Sequence, residues 1–176
     1  MATFGQRVVE RTGSRYAVSA SHEGEKIAGV TIAWTTVIAP SVDAVILPSY
    51  GSVVGTSFSD YNQGIDSYVY AGEKYLRLGT VLCKIVGGTL AGKFAPYGSV
   101  TNLGGGTLSK AKGDMFILNR TVFEKASGSD HGPVIQEGDV YKARLVQNGT
   151  GAADTLAGPT LAEFNTAFPA ILFVEV

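Results

Sequence analysis

Short runs of β-branched and aromatic residues alternate along this chain with clusters of Gly, Ser, Asn and Asp. That pattern predicts many short strands and turns, hence a mainly-β protein. Residues 27–38, IAGVTIAWTTVI, are rich in β-branched side chains and predict one or two strands. Pro40 and Pro48 bracket a short apolar run, VDAVIL. Residues 49–64 predict loop and short strands. Residues 75–86, YLRLGTVLCKIV, predict the next strand region. In it Val81, Cys83 and Ile85 point one way and Lys84 the other, which makes Cys83 a small core residue. KFAPY at 93–97 predicts a further short strand, and the Gly- and Ser/Thr-rich stretch 99–113 predicts a loop.

The run 115–123, MFILNRTVF, is apolar on both faces at first and suits a buried strand. Lys125 to Gly132 predicts a turn that ends at Pro133. DVYKARLVQ at 139–147 alternates, with Tyr141, Ala143 and Leu145 inward and Lys142 and Arg144 outward. The clearest helix comes late. Thr160 as N-cap and Glu163 three residues on form a capping box, Leu161, Phe164 and Phe168 share an apolar face, and Pro169 ends it. AILFVEV at 170–176 predicts a terminal strand.

Residues 1–24 are polar apart from Phe4, Val8, Val9 and a few others. Two readings stand for them: a frayed terminus, or an arm that becomes ordered against a partner subunit. No composition shift marks a second domain. The expected division is an arm over 1–24 and one β-rich domain over 25–176.

The composition narrows the classes of function. A chain of 176 residues buries roughly 70% of its unfolded surface and holds a core without staples. A net charge of −1 with no basic stripe leaves no footprint for nucleic acid. No apolar run approaches the length of a membrane helix, and no secretion signal is legible at the start. Two sequons, Asn119-Arg120-Thr121 and Asn148-Gly149-Thr150, read as chance matches without an export signal.

One stretch mimics a phosphate-binding loop. Gly87-Gly88-Thr89-Leu90-Ala91-Gly92-Lys93 fits G-x-x-x-x-G-K after an apolar run. Phe94 stands where the magnesium-binding hydroxyl belongs, and Pro96 falls in the first turn of the required helix. With 23 glycines in the chain a chance match is ordinary, and the glycines read as hairpin turn residues of positive φ.

Other chemistry has no pattern behind it. The histidines are His22, in the polar N-terminal segment, and His131, in the segment SGSDHG where Asp130-His131 reads as a solvated turn. No G-x-S-x-G elbow occurs. One cysteine and two histidines are too few for a common structural zinc site, and Asp60, Asp66 and Asp114 are scattered among glycines. We expect no catalytic residue, cofactor or metal. A small hydrolase would need a pocket joining His131 to a carboxylate and a nucleophile.

Leu76-Arg77-Leu78-Gly79-Thr80-Val81-Leu82-Cys83-Lys84-Ile85, followed by Gly92-Lys93-Phe94-Ala95-Pro96-Tyr97, resembles the lambda-type head decoration, or capsid cement, proteins of tailed phages. Those carry a GTVL-K-I/V strand, a glycine hairpin and a GKY-PY phrase. The C-terminal helix, Pro169 and Ile171-Leu172-Phe173-Val174 are similar to the end of related decoration proteins. The resemblance covers about 20 residues strongly and the last 17 more weakly.

The resemblance implies a small β-barrel or β-sandwich, tulip-like, with one short C-terminal helix and an N-terminal arm or extra strands. It implies a homotrimer on the outer surface of the virion capsid, made in the host cytoplasm. Such trimers sit at threefold or quasi-threefold positions and clamp major capsid proteins after the shell expands, without nucleic acid, membrane or cofactor. This chain departs from the smallest members by about 70 residues ahead of the motif. Few charges and 45% apolar residues suit a chain that buries surface in a partner. The candidate capsid or subunit contacts are Phe4, Val8, Val9 and Trp34. The alternative is a β-sandwich module of the virion that binds host-surface glycans, with Tyr61, Tyr68 and Tyr70 as its stacking platform.

Overall fold

In a computed structural model of the chain, the described residues are 26–41, 44–46, 53–54, 67–99, 101–125, 131–141, 145, 165–168 and 170–174. They form a mainly-β protein with twelve strands and a short helical segment at 165–167. The arm over 1–24, with Phe4, Val8 and Val9, and the capping residues Thr160 and Glu163 lie outside the described residues.

The strands are β1 (Lys26–Thr31), β2 (Ala44–Ile46), β3 (Val53–Val54), β4 (Ser67–Val69), β5 (Tyr75–Leu76), β6 (Val81–Val86), β7 (Phe94–Pro96), β8 (Thr107–Ser109), β9 (Met115–Leu118), β10 (Val122–Phe123), β11 (His131–Tyr141) and β12 (Ile171–Val174). The main sheet runs β1-β11-β9-β6-β7, with β8 on β6 and β12 on β11. Its pairings are antiparallel except β11 with β12, which run parallel. A three-stranded sheet, β3-β2-β4, and a two-stranded one, β10-β5, are the other sheets among the described residues.

Both faces of the main sheet are covered, which accounts for its apolar strands. On one face Val81, Cys83, Met115, Ile117, Ile135 and Val140 pack with Ala167 and Phe168 of the helical segment and with Ile171 and Phe173 of β12. On the other, Leu82, Leu118 and Val134 pack with Val30, Ile32, Trp34, Phe94 and the Leu76–Val122 pair. Burying both faces of β6 explains why Val81, Leu82 and Cys83 are all fully enclosed while Lys84 reaches out.

The sheet curls without closing. Ile32 bridges Phe94, and the Ala33 N–H donates to the Phe94 carbonyl at 2.8 Å, so the β1 end meets β7. Among the described residues no ladder follows, so they do not form a closed barrel. After Ala33 the chain enters a 3-10 turn, Trp34–Thr36, and leaves β7. The Ala33 carbonyl fixes that turn by accepting from both the Thr36 N–H (2.9 Å) and the Thr36 hydroxyl (2.7 Å). β7 in turn ends at Pro96, which has no N–H to extend a ladder.

Four local expectations change. The segment 75–86 is two strands, because Leu78 and Gly79 turn the chain and Thr80 closes on the Arg77 carbonyl through its N–H (3.2 Å) and hydroxyl (2.7 Å). The expected loop 99–113 contains β8, which continues the line of β9 along β6 after an excursion over residues 110–114. The end of the expected turn over Lys125 to Gly132 is instead strand: His131, Gly132 and Pro133 begin β11, with His131 opposite Thr31 and Pro133 opposite Gly29, while residues 126–130 lie outside the described residues. Proline is tolerated there because its nitrogen faces the β9 side, as its carbonyl does. That carbonyl accepts the Asn119 N–H (2.8 Å), where β9 has already ended. Finally, among the described side chains of 139–147 both Val140 and Leu145 are buried, an odd spacing that a single inward-facing alternation does not give.

Candidate interaction surface

The glycine stretch folds as a tight hairpin. The Ile85 carbonyl accepts the Gly92 N–H (2.9 Å) and the Ile85 N–H donates to the Lys93 carbonyl (2.8 Å), after which the chain passes directly into β7. Gly87, Gly88 and Gly92 take positive φ values of 76°, 69° and 85°. No helix follows Lys93, so the phosphate-loop arrangement is absent from these residues. The hairpin is locked to a second glycine loop: the Thr89 N–H donates to the Gly104 carbonyl at 2.9 Å.

The nucleophiles and charges within reach serve the fold. Cys83 is enclosed at the sheet centre, and burial pushes its thiol up to about 12, opposed by the Lys110 charge and reinforced by Asp114. A thiol so placed is neither ionised nor accessible. Asp114 accepts the Ser109 hydroxyl at 2.7 Å and pairs with Lys84 at 3.2 Å. The Ser109 bond first, and the Lys84 bond and charge against some desolvation, hold the Asp114 carboxyl below its ordinary value. The Ala111 N–H donates to the same Ser109 hydroxyl (3.3 Å), and the Gly113 N–H to the Ala167 carbonyl (3.5 Å). This network pins the 110–114 excursion against the helical segment, and Lys110 lies 4.1 Å over the Tyr97 ring. Among the described residues no group of three or more His, Cys, Asp and Glu side chains is placed to hold a metal ion. No helix among them is long and apolar enough to cross a membrane. Asn119 of the first sequon is buried.

Among the described residues the exposed large apolar side chains are Ile38, Tyr70, Val86 and Leu172. The 3-10 turn sends Trp34, Thr36 and Val37 inward and leaves Ile38 outside, 74% exposed. Three residues after β4 begins, the chain turns at Tyr70. The Glu73 N–H donates to the Tyr70 carbonyl (3.0 Å), while the Tyr70 N–H donates to the Glu73 carboxylate (3.1 Å). Tyr70 is 63% exposed. The two segments are held side by side, because the Gly72 N–H donates to the Pro40 carbonyl at 2.9 Å. Lys74 secures the base of the pair: its ammonium donates to the Trp34 carbonyl (2.9 Å) and lies 3.7 Å from Glu124. Ile38 and Tyr70 are thus exposed apolar side chains on two segments braced against each other.

Of the residues singled out from the sequence, Trp34 is interior and its indole N–H has no partner among the described residues. In its segment Thr35 and Ile38 are the residues that meet solvent. Tyr70 is outside the end of β4; the backbone of Tyr68 lies within β4, and Tyr61 lies outside the described residues. Sequence reasoning missed Ile38, whose signal was an apolar residue ending a β-branched run two positions before Pro40. It also missed Arg77, enclosed at 2% exposure between Leu76 and Leu78. A charged residue inside an apolar run was its signal.

No protein-family model matches the chain, and neither curated proteins nor solved structures yield a match.

Proposed function

We propose that this protein is a structural component of a tailed-phage virion, a decoration or cement protein. In this reading it binds the outer capsid surface as a homotrimer and stabilises the expanded shell by clamping major capsid proteins. The observation that carries the reading is the stretch 76–97. It resembles the decoration family in sequence, and it folds as the end of β5, then β6, the glycine hairpin and β7, with β6 and β7 the last two strands along the main sheet. Two further features support it. The hairpin is interlocked with a second loop, giving the stiffness a clamp requires, and Ile38 and Tyr70 present apolar surface on a braced edge. Trimerisation multiplies weak single contacts on a symmetric shell.

The test is the mass of the protein in solution, together with co-sedimentation with expanded, empty capsids of the phage that encodes it. A trimer that pellets with expanded shells is expected. A protein that stays in the supernatant at saturating shell concentration overturns the proposal. Retention on a glycan array that is lost in Tyr70→Ala would favour the glycan-binding alternative instead.

A further inference from the structure

We draw no further inference here: the strongest candidate, the exposed Ile38 and Tyr70 on the two segments joined by the Gly72–Pro40 hydrogen bond, belongs to the surface already described, and nothing in the structure shows what covers it.

Discussion

The carbonyl of Gly104 occupies the space that a Cβ on Gly88 would need. The same Cβ would also come within 2.5 Å of the Gly106 nitrogen and 2.8 Å of the Gly105 carbonyl carbon. All three neighbours are backbone, so none can swing aside. Gly104 is constrained in return, since a Cβ there would overlap the Thr89 hydroxyl. Gly88 therefore fits its place only as glycine, and its contact with the second loop ties β6–β7 to the segment leading into β8.

Gly88→Ala is expected to be the most damaging single methyl in this tip. It combines the left-handed backbone, at about 1–2 kcal/mol, with overpacking, at about 1–3 kcal/mol. Gly87→Ala and Gly92→Ala share the positive φ, yet nothing lies within 4 Å of their added Cβ. They are expected to lose only the conformational part, about 1–2 kcal/mol. Urea denaturation of the three variants separates the effects. Equal losses at all three positions would show that the interlock contributes nothing.

Acid should release the 110–114 excursion. The Asp114 carboxyl titrates lower in the folded chain than its ordinary value of 3.8. Its contribution is therefore complete above about pH 4 and fades as the pH falls through its folded value. Asp114→Asn is expected to lower stability at pH 7 by no more than about 1 kcal/mol, as a partly exposed pair should. The gap between the two proteins should close on acidification. A gap that is constant from neutral pH to the acid limit would remove Asp114 from the account.

Cys83 should be silent in the native protein. With its thiol pushed up to about 12 and its side chain enclosed, iodoacetamide at pH 8 is expected to label it only after unfolding in guanidinium. The unfolded thiol ionises near 9.0 and the folded one near 12, so stability should fall as pH rises through that interval. Rapid alkylation of the folded chain would contradict the burial.

Trp34 is the single tryptophan and 5% exposed, which makes it a clean reporter of the core. Its emission should be blue-shifted and shielded from acrylamide. Trp34→Ala is expected to cost about 3–5 kcal/mol, as for other large core aromatics. Trp34→Phe should cost much less, because it keeps an aromatic ring and removes an indole N–H that has no partner among the described residues. Strong quenching in the free protein would place the ring outside the core.

The proposed capsid contact is separable from the fold. Ile38→Ser with Tyr70→Ser is expected to change stability by about 0.5 kcal/mol or less per site, since both side chains are largely exposed. Co-sedimentation with expanded capsids should drop severalfold. Deleting residues 1–24 tests the arm in the same assay: weaker pelleting with an unchanged unfolding transition is expected. Wild-type pelleting by both altered proteins would exclude these surfaces as the attachment site.

The period of the sequence by itself determined the class of fold. Val81, Cys83 and Ile85 could be placed in the core because strand side chains alternate, and Gly87, Gly88 and Gly92 could be placed in a turn because only glycine takes positive φ at little cost. Phe94 and Pro96 were enough to separate that turn from a phosphate site. Local pattern ends where distant segments meet. That Leu82 is as enclosed as Val81, that Pro133 sits inside a strand, and that Thr107–Ser109 is a strand depended on neighbours far along the chain. Trp34 and Ile38 show the limit most plainly. Both lie in an apolar stretch that predicts one or two strands, but the hydrogen bonds from Thr36 to Ala33 turn the backbone between them. Tertiary packing then encloses the larger side chain and leaves the smaller one at the surface.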